Sequence, residues 1–139
     1  MKQDLIERGE IRKSSRDIVL VKSIISTAES DLKFLKKLDI YDDSTRKIMS
    51  NYYDVLRSIL EAIFILEGYK IYSHEAFVSL LKEKGEDLIA EKFDRFRKIR
   101  NGINYYGKSI SIQEVKENIV DITKLIDELK RKYLKDYSK

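Results

Sequence analysis

The chain is 139 residues long, with no cysteine, no proline and a single histidine. That composition excludes disulfides, thiolate metal sites and histidine-rich metal centres, and no apolar run approaches the roughly 20 residues that cross a bilayer. The formal net charge of +4, spread over 37% charged residues of mixed sign, describes solvated helix faces and a mildly basic surface that permits nucleic-acid binding without demanding it.

Abundant Lys, Glu, Ile and Leu with only five glycines predict an all-α protein. Short connections favour an up-and-down antiparallel bundle of four to five helices, one domain over 1–139. Its ends, 1–13 and 134–139, are expected to fray. The N-terminus alternates acid and base and lacks the pattern of a signal peptide, so a cytoplasmic location and no membrane association are expected.

Residues 1–13 offer a short helix through Leu5, Ile6 and Ile11, weakened by Gly9. Ser14 or Ser15 reads as the cap of a second helix running to Leu38, with Asp17 favouring its positive end. Ile18, Val21, Ile25, Ala28, Leu32 and Leu35 keep a three-four spacing along it. After a loop at Asp39–Ser44, a third helix over Thr45–Glu67 is the most apolar and is expected to be central. Gly68 ends it, and Gly68–Tyr72 reads as a connector. Ser73 caps a fourth helix, Gly85 breaks it, and a further helix begins near Glu86. Ser111 and Glu114 form a capping box for the last helix, whose Val115, Ile119, Ile122, Ile126, Leu129 and Tyr133 make a heptad-like seam.

The stretch Lys92–Gly107, KFDRFRKIRNGINYYG, draws the functional reading. Phe93, Phe96, Ile99, Ile103 and Tyr106 fall on one helix face. Arg97, Arg100 and Asn104 border it, so the Arg100 stem packs while its guanidinium is offered to an anion. Gly102, inside the helix, costs about 1 kcal/mol relative to alanine and points to a partner backbone or ligand approaching closely. His74, at the start of the fourth helix, reads as a surface or capping residue with a lesser claim to catalysis.

The run Tyr52-Tyr53, Leu66-Glu67-Gly68-Tyr69 and Ser73-His74-Glu75, followed by Arg100-Asn101-Gly102-Ile103-Asn104-Tyr105-Tyr106-Gly107, resembles the HEPN domain over roughly residues 45–107. That resemblance implies a helical bundle, usually dimeric, whose relatives include metal-independent ribonucleases of toxin–antitoxin and other defence systems and partners of minimal nucleotidyltransferases. It implies no cofactor and no metal. The family motif is an arginine, often followed by a polar residue, and then a histidine four to six residues on. Here Arg100 and Asn101 match its first part, and the histidine position falls at Tyr105, or one step away at Asn104 or Tyr106.

RNA cleavage without a metal needs a base for the 2′-hydroxyl. A phenol, ordinarily titrating at about pH 10, serves poorly, and asparagine does not titrate. The resemblance therefore implies a non-catalytic or weakly catalytic homodimer binding RNA or a nucleotide phosphate through Arg97, Arg100, Asn101 and Asn104, beside a nucleotidyltransferase-type partner. It also points to Tyr106 as a candidate for modification by AMP transfer. Two alternatives stand beside it. One is an active ribonuclease in which His74 or Tyr105 supplies the base. The other is a plain helical interaction module in which Arg100 is neutralised internally by Glu67 or Asp94.

Overall fold

A computed structural model describes residues 1–137. Among these, six helices and one small sheet follow in the order α1 (Lys2–Glu7), β1 (Ile11–Lys13), α2 (Ile18–Leu35), α3 (Thr45–Leu66), β2 (Tyr69–Ile71), α4 (His74–Glu83), α5 (Asp87–Tyr106) and α6 (Ile112–Tyr133). The protein is an all-α up-and-down bundle. No described helix is long and apolar enough to cross a membrane.

The three-four spacing does the work expected of it. Val21, Ile25, Ala28, Leu32 and Leu35 bury one stripe of α2. On α3 the buried set runs from Thr45 to Ile65 and covers most of the circumference, which places this helix at the centre, packed against α2, α5 and α6. A helix with so broad an apolar face is driven to the interior, while its narrow polar stripe, Asn51, Asp54 and Ser58 among it, reaches the surface. Caps fix the ends. Asp17 is the N-cap of α2 and its carboxylate accepts from Leu20 N at 3.0 Å, a role expected of Ser14 or Ser15. The Ser73 and Ser111 hydroxyls accept from Ala76 N and Glu114 N as expected. The Glu114 carboxylate takes the Ser111 hydroxyl proton rather than returning to a backbone N–H, so the box is only half formed.

The N-terminal segment packs onto the bundle. Leu5 and Ile11 are in the core, and β1 pairs antiparallel with β2 in the register Ile11↔Ile71, Arg12↔Lys70 and Lys13↔Tyr69. Flanking bonds from Tyr72 N to Glu10 O and from Ser14 N to Gly68 O, each 2.8 Å, lengthen the ladder. The expected connector after Gly68 is thus a strand, and Gly68 itself turns the chain at φ +90°. At the other end, Leu134 is fully buried and the Tyr137 hydroxyl accepts from Arg16 at 3.0 Å, so residues 134–137 are docked as well. Positions 138 and 139 of the expected frayed tail lie outside the described residues.

Candidate functional site

The site forms where α5 runs past the N-terminus of α4 and the middle of α3. Phe93 and Phe96 are buried and anchor α5. Phe93 stacks on Tyr53 of α3, with centroids 5.4 Å apart. One turn further along, this anchorage carries Arg100 to the edge of the bundle.

Arg100 is held rather than free. Its side chain is only 19% exposed, and its guanidinium carbon lies 5.6 Å from the Tyr53 ring centroid and 5.9 Å from that of Tyr105, within cation–π reach of both. Its one carboxylate neighbour is Asp54, at 3.9 Å. Its Nε is buried and makes no hydrogen bond. Glu67 and Asp94, the two internal partners considered for it, are engaged elsewhere. Lys84 takes Glu67. Asp94 accepts from Arg97 Nε and Nη2 at 2.9 and 2.7 Å. Arg97, also 3.7 Å from Glu75, is therefore already neutralised. Arg100 is paired more loosely, with Asp54 alone at 3.9 Å among the described residues and with no hydrogen bond to its Nε.

His74 is half-buried, and the cap of α4 is Ser73 rather than His74. Its ring stacks on Tyr53, centroids 5.6 Å apart, and meets the edge of Phe77. Its Nδ1 is 2.7 Å from the Tyr53 hydroxyl. Tyr53 is wholly buried, and burial pushes its phenol well above its ordinary range against the pull of Arg100. The hydroxyl keeps its proton, and Nδ1 is its one acceptor among the described residues, so Tyr53 donates to His74. The ring proton then sits on Nε2, which makes no other bond among the described residues. Burial first, and Arg100 second, hold the imidazole pKa below its ordinary value. His74 is thus a neutral ring presenting an N–H, a donor rather than a base.

Two cavities meet at these residues. One, of about 650 Å³, is lined by Asp31, Phe34 and Leu35 of α2, Asn51, Asp54, Val55, Arg57 and Ser58 of α3, and by His74 and Arg100. The other, of about 380 Å³, is lined by Ser73, Glu75, Arg97, Asn101 and Tyr105 and again by His74 and Arg100.

Arg97, Arg100, Asn101, Tyr105 and His74 are therefore brought together. Asn104 is turned away, its Oδ1 accepting from Ser50 at 3.1 Å. Tyr105 and Tyr106 are 68% and 77% exposed. The apolar face assigned to Tyr106 ends at Ile103, because the last turn of α5 runs beyond its packing partners. Over Gly102 lies the stem of Lys108, its Cδ 3.1 Å from where a Cβ would stand.

The sequence reading missed Phe34, Asn51, Asp54 and Arg57. A signal existed. Asn51, Asp54 and Ser58 recur at three-four spacing within the most apolar helix, and Phe34 is an aromatic lying off the apolar stripe of α2. No group of three or more His, Cys, Asp or Glu among the described residues is placed to hold a metal ion. No family model, curated protein or solved structure matches this chain.

Proposed function

We propose that the chain is a HEPN-type protein that binds RNA or a nucleotide phosphate without cleaving it. On this reading it works as a homodimer beside a minimal nucleotidyltransferase-type partner, in a toxin–antitoxin-like arrangement in the cytoplasm. Its support is the resemblance over residues 45–107 together with the state of Arg100. That guanidinium borders two cavities, touches one distant carboxylate and keeps a buried N–H without an acceptor. An anion between Arg100 and His74 would gain a charge-assisted bond from the guanidinium. With His74 a donor and Tyr105 a phenol, neither the lone histidine nor the residue at the motif's histidine position is a ready base, which supports binding over turnover.

The test is a titration of RNA and of nucleotides into wild type and Arg100→Ala, with dimerisation followed by sedimentation. Affinity should fall at least tenfold in the variant. Equal affinity would sink the proposal. A second reading, an active metal-independent ribonuclease, draws on the nearness of His74 to Arg100. Incubation with RNA in EDTA decides it: cleavage lost in His74→Ala supports it, and intact RNA at micromolar protein removes it.

A further inference from the structure

The residues common to both cavities are His74 and Arg100. They line the two cavities where these adjoin. Each cavity also carries one exposed aromatic ring, Phe34 in the larger and Tyr105 in the smaller. Phe34 is 60% exposed, an unusual placement for a phenylalanine within a helix whose apolar stripe lies elsewhere.

Resting on the anion-binding reading above, we propose that the site holds a dinucleotide step of single-stranded RNA. The phosphodiester lies where the cavities adjoin, taking hydrogen bonds from Arg100 and from His74 Nε2–H. The two flanking bases enter different cavities, one against Phe34 and the other against Tyr105. Both cavities fall in the range of about 300–1,000 Å³ that small-ligand sites occupy. Splayed bases stacked on aromatic rings about a held phosphate are the ordinary chemistry of single-strand recognition.

Charge favours a short contact over tracking along a long polyanion. In the larger chamber Arg57 is held by Glu61 at 2.8 Å, and Asp31 and Asp54 offset the remaining cation. In the smaller one Arg97 is paired with Asp94. Counting Glu61, Asp94 and Glu75, carboxylates outnumber arginines around the two cavities, so attraction for a phosphate is confined to the Arg100 guanidinium and the His74 N–H. On this proposal Asp54, beside Arg100 and half exposed, accepts a hydrogen bond from the 2′-hydroxyl of the ribose next to that phosphate. That selects RNA over DNA, since only the ribose supplies a proton to the carboxylate.

The experiment titrates the dinucleoside monophosphate ApA, its deoxy counterpart and AMP into the full chain, followed by NMR. The imidazole signal of His74, the one histidine in the sequence, is the reporter. ApA should bind at least tenfold more tightly than AMP, although AMP carries the larger charge, and more tightly than the deoxy form. Phe34→Leu and Tyr105→Leu should each weaken ApA by about five- to hundredfold, the worth of one base stack. Both side chains are exposed, so the fold should survive, and circular dichroism checks that it does. The affinity should fall with salt at a slope of about 0.7 in log–log form, as for one phosphate on a single strand.

Equal binding of ApA and AMP, both lost in Arg100→Ala, would overturn the two-base site and leave the anion site standing. No binding of any of the three would overturn both. Equal ribose and deoxyribose affinity would overturn the assignment to RNA.

Discussion

The titration of His74 is the most direct physical test of the site. Its pKa lies below the ordinary histidine value of 6.5, through burial first and the Arg100 guanidinium second, with Arg57 and Arg97 acting in the same sense and Asp54 against them. A group whose folded pKa is depressed binds fewer protons folded than unfolded. Its contribution to stability is therefore fully present above the unfolded value and is lost as pH falls through the folded one. Between the two values, each pH unit of acidification should cost up to about 1.4 kcal/mol. The carboxylates with lowered pKa, Glu10, Glu86 and Asp94, start from ordinary values of 4.5, 4.5 and 3.8 and add their losses at lower pH. The assay is NMR of the lone imidazole against pH, with urea denaturation of wild type and His74→Gln between pH 7 and 5. Wild type should lose stability over that range faster than the variant. Arg100→Gln should move the imidazole pKa upward, toward the ordinary value. A wild-type pKa at or above 6.5, or one that Arg100→Gln leaves in place, refutes the account of how these two side chains face each other.

The docking of the N-terminus is tested by Leu5→Ala. The side chain is 1% exposed, so the loss should be about 2–4 kcal/mol in urea denaturation; a loss under about 1 kcal/mol would mean the segment is not part of the core. Gly102→Ala replaces a helical glycine at which only the Lys108 stem is close, at 3.1 Å from the new Cβ. Lys108 is exposed and able to swing aside, so the change should be neutral or stabilising by up to about 1 kcal/mol, and destabilisation would show that the stem is fixed. Asn104→Asp places a carboxylate four residues beyond Arg100 on the same helix. RNA or nucleotide affinity should fall while Asn104→Ala retains it, and equal affinity in the two variants would show that Arg100 does not respond to a local acid.

The main helices were legible in the sequence because their apolar spacing is sustained over several turns, as with Val21 to Leu35 on α2. The β1–β2 ladder was not. Each strand is three residues long, too short for an alternation to register, and what holds them is a pairing between segments far apart in sequence. Leu5 failed for a related reason: a six-residue helix with a glycine two positions beyond its end looks weak by propensity, and only the core it meets makes it stable. Tyr106 was placed on the buried face because periodicity reports which direction a residue points, and carries no information about where the neighbouring helices stop. The Tyr53–His74 contact, 21 residues apart in sequence, has no periodic signature at all.

The difference between the two candidate arginines was nevertheless written locally. Arg97 has Asp94 three residues before it, on the same helix face, and that carboxylate captures it. Arg100 has Phe96 and Arg97 four and three residues before it, and Ile103 and Asn104 three and four after. None is an acid, and Asn104 is occupied by Ser50. Any carboxylate for Arg100 has to come across from α3, and the one that does remains 3.9 Å away. Burial against Tyr53 then prevents water from reaching Nε. A cation whose nearest helix neighbours offer no counter-charge, and whose one carboxylate among the described residues stands off, has attraction to spare for a further anion. The loose pairing of Arg100 is thus a consequence of which residue types fall within one turn of it, and the cavities beside it determine what size of anion-bearing molecule reaches it.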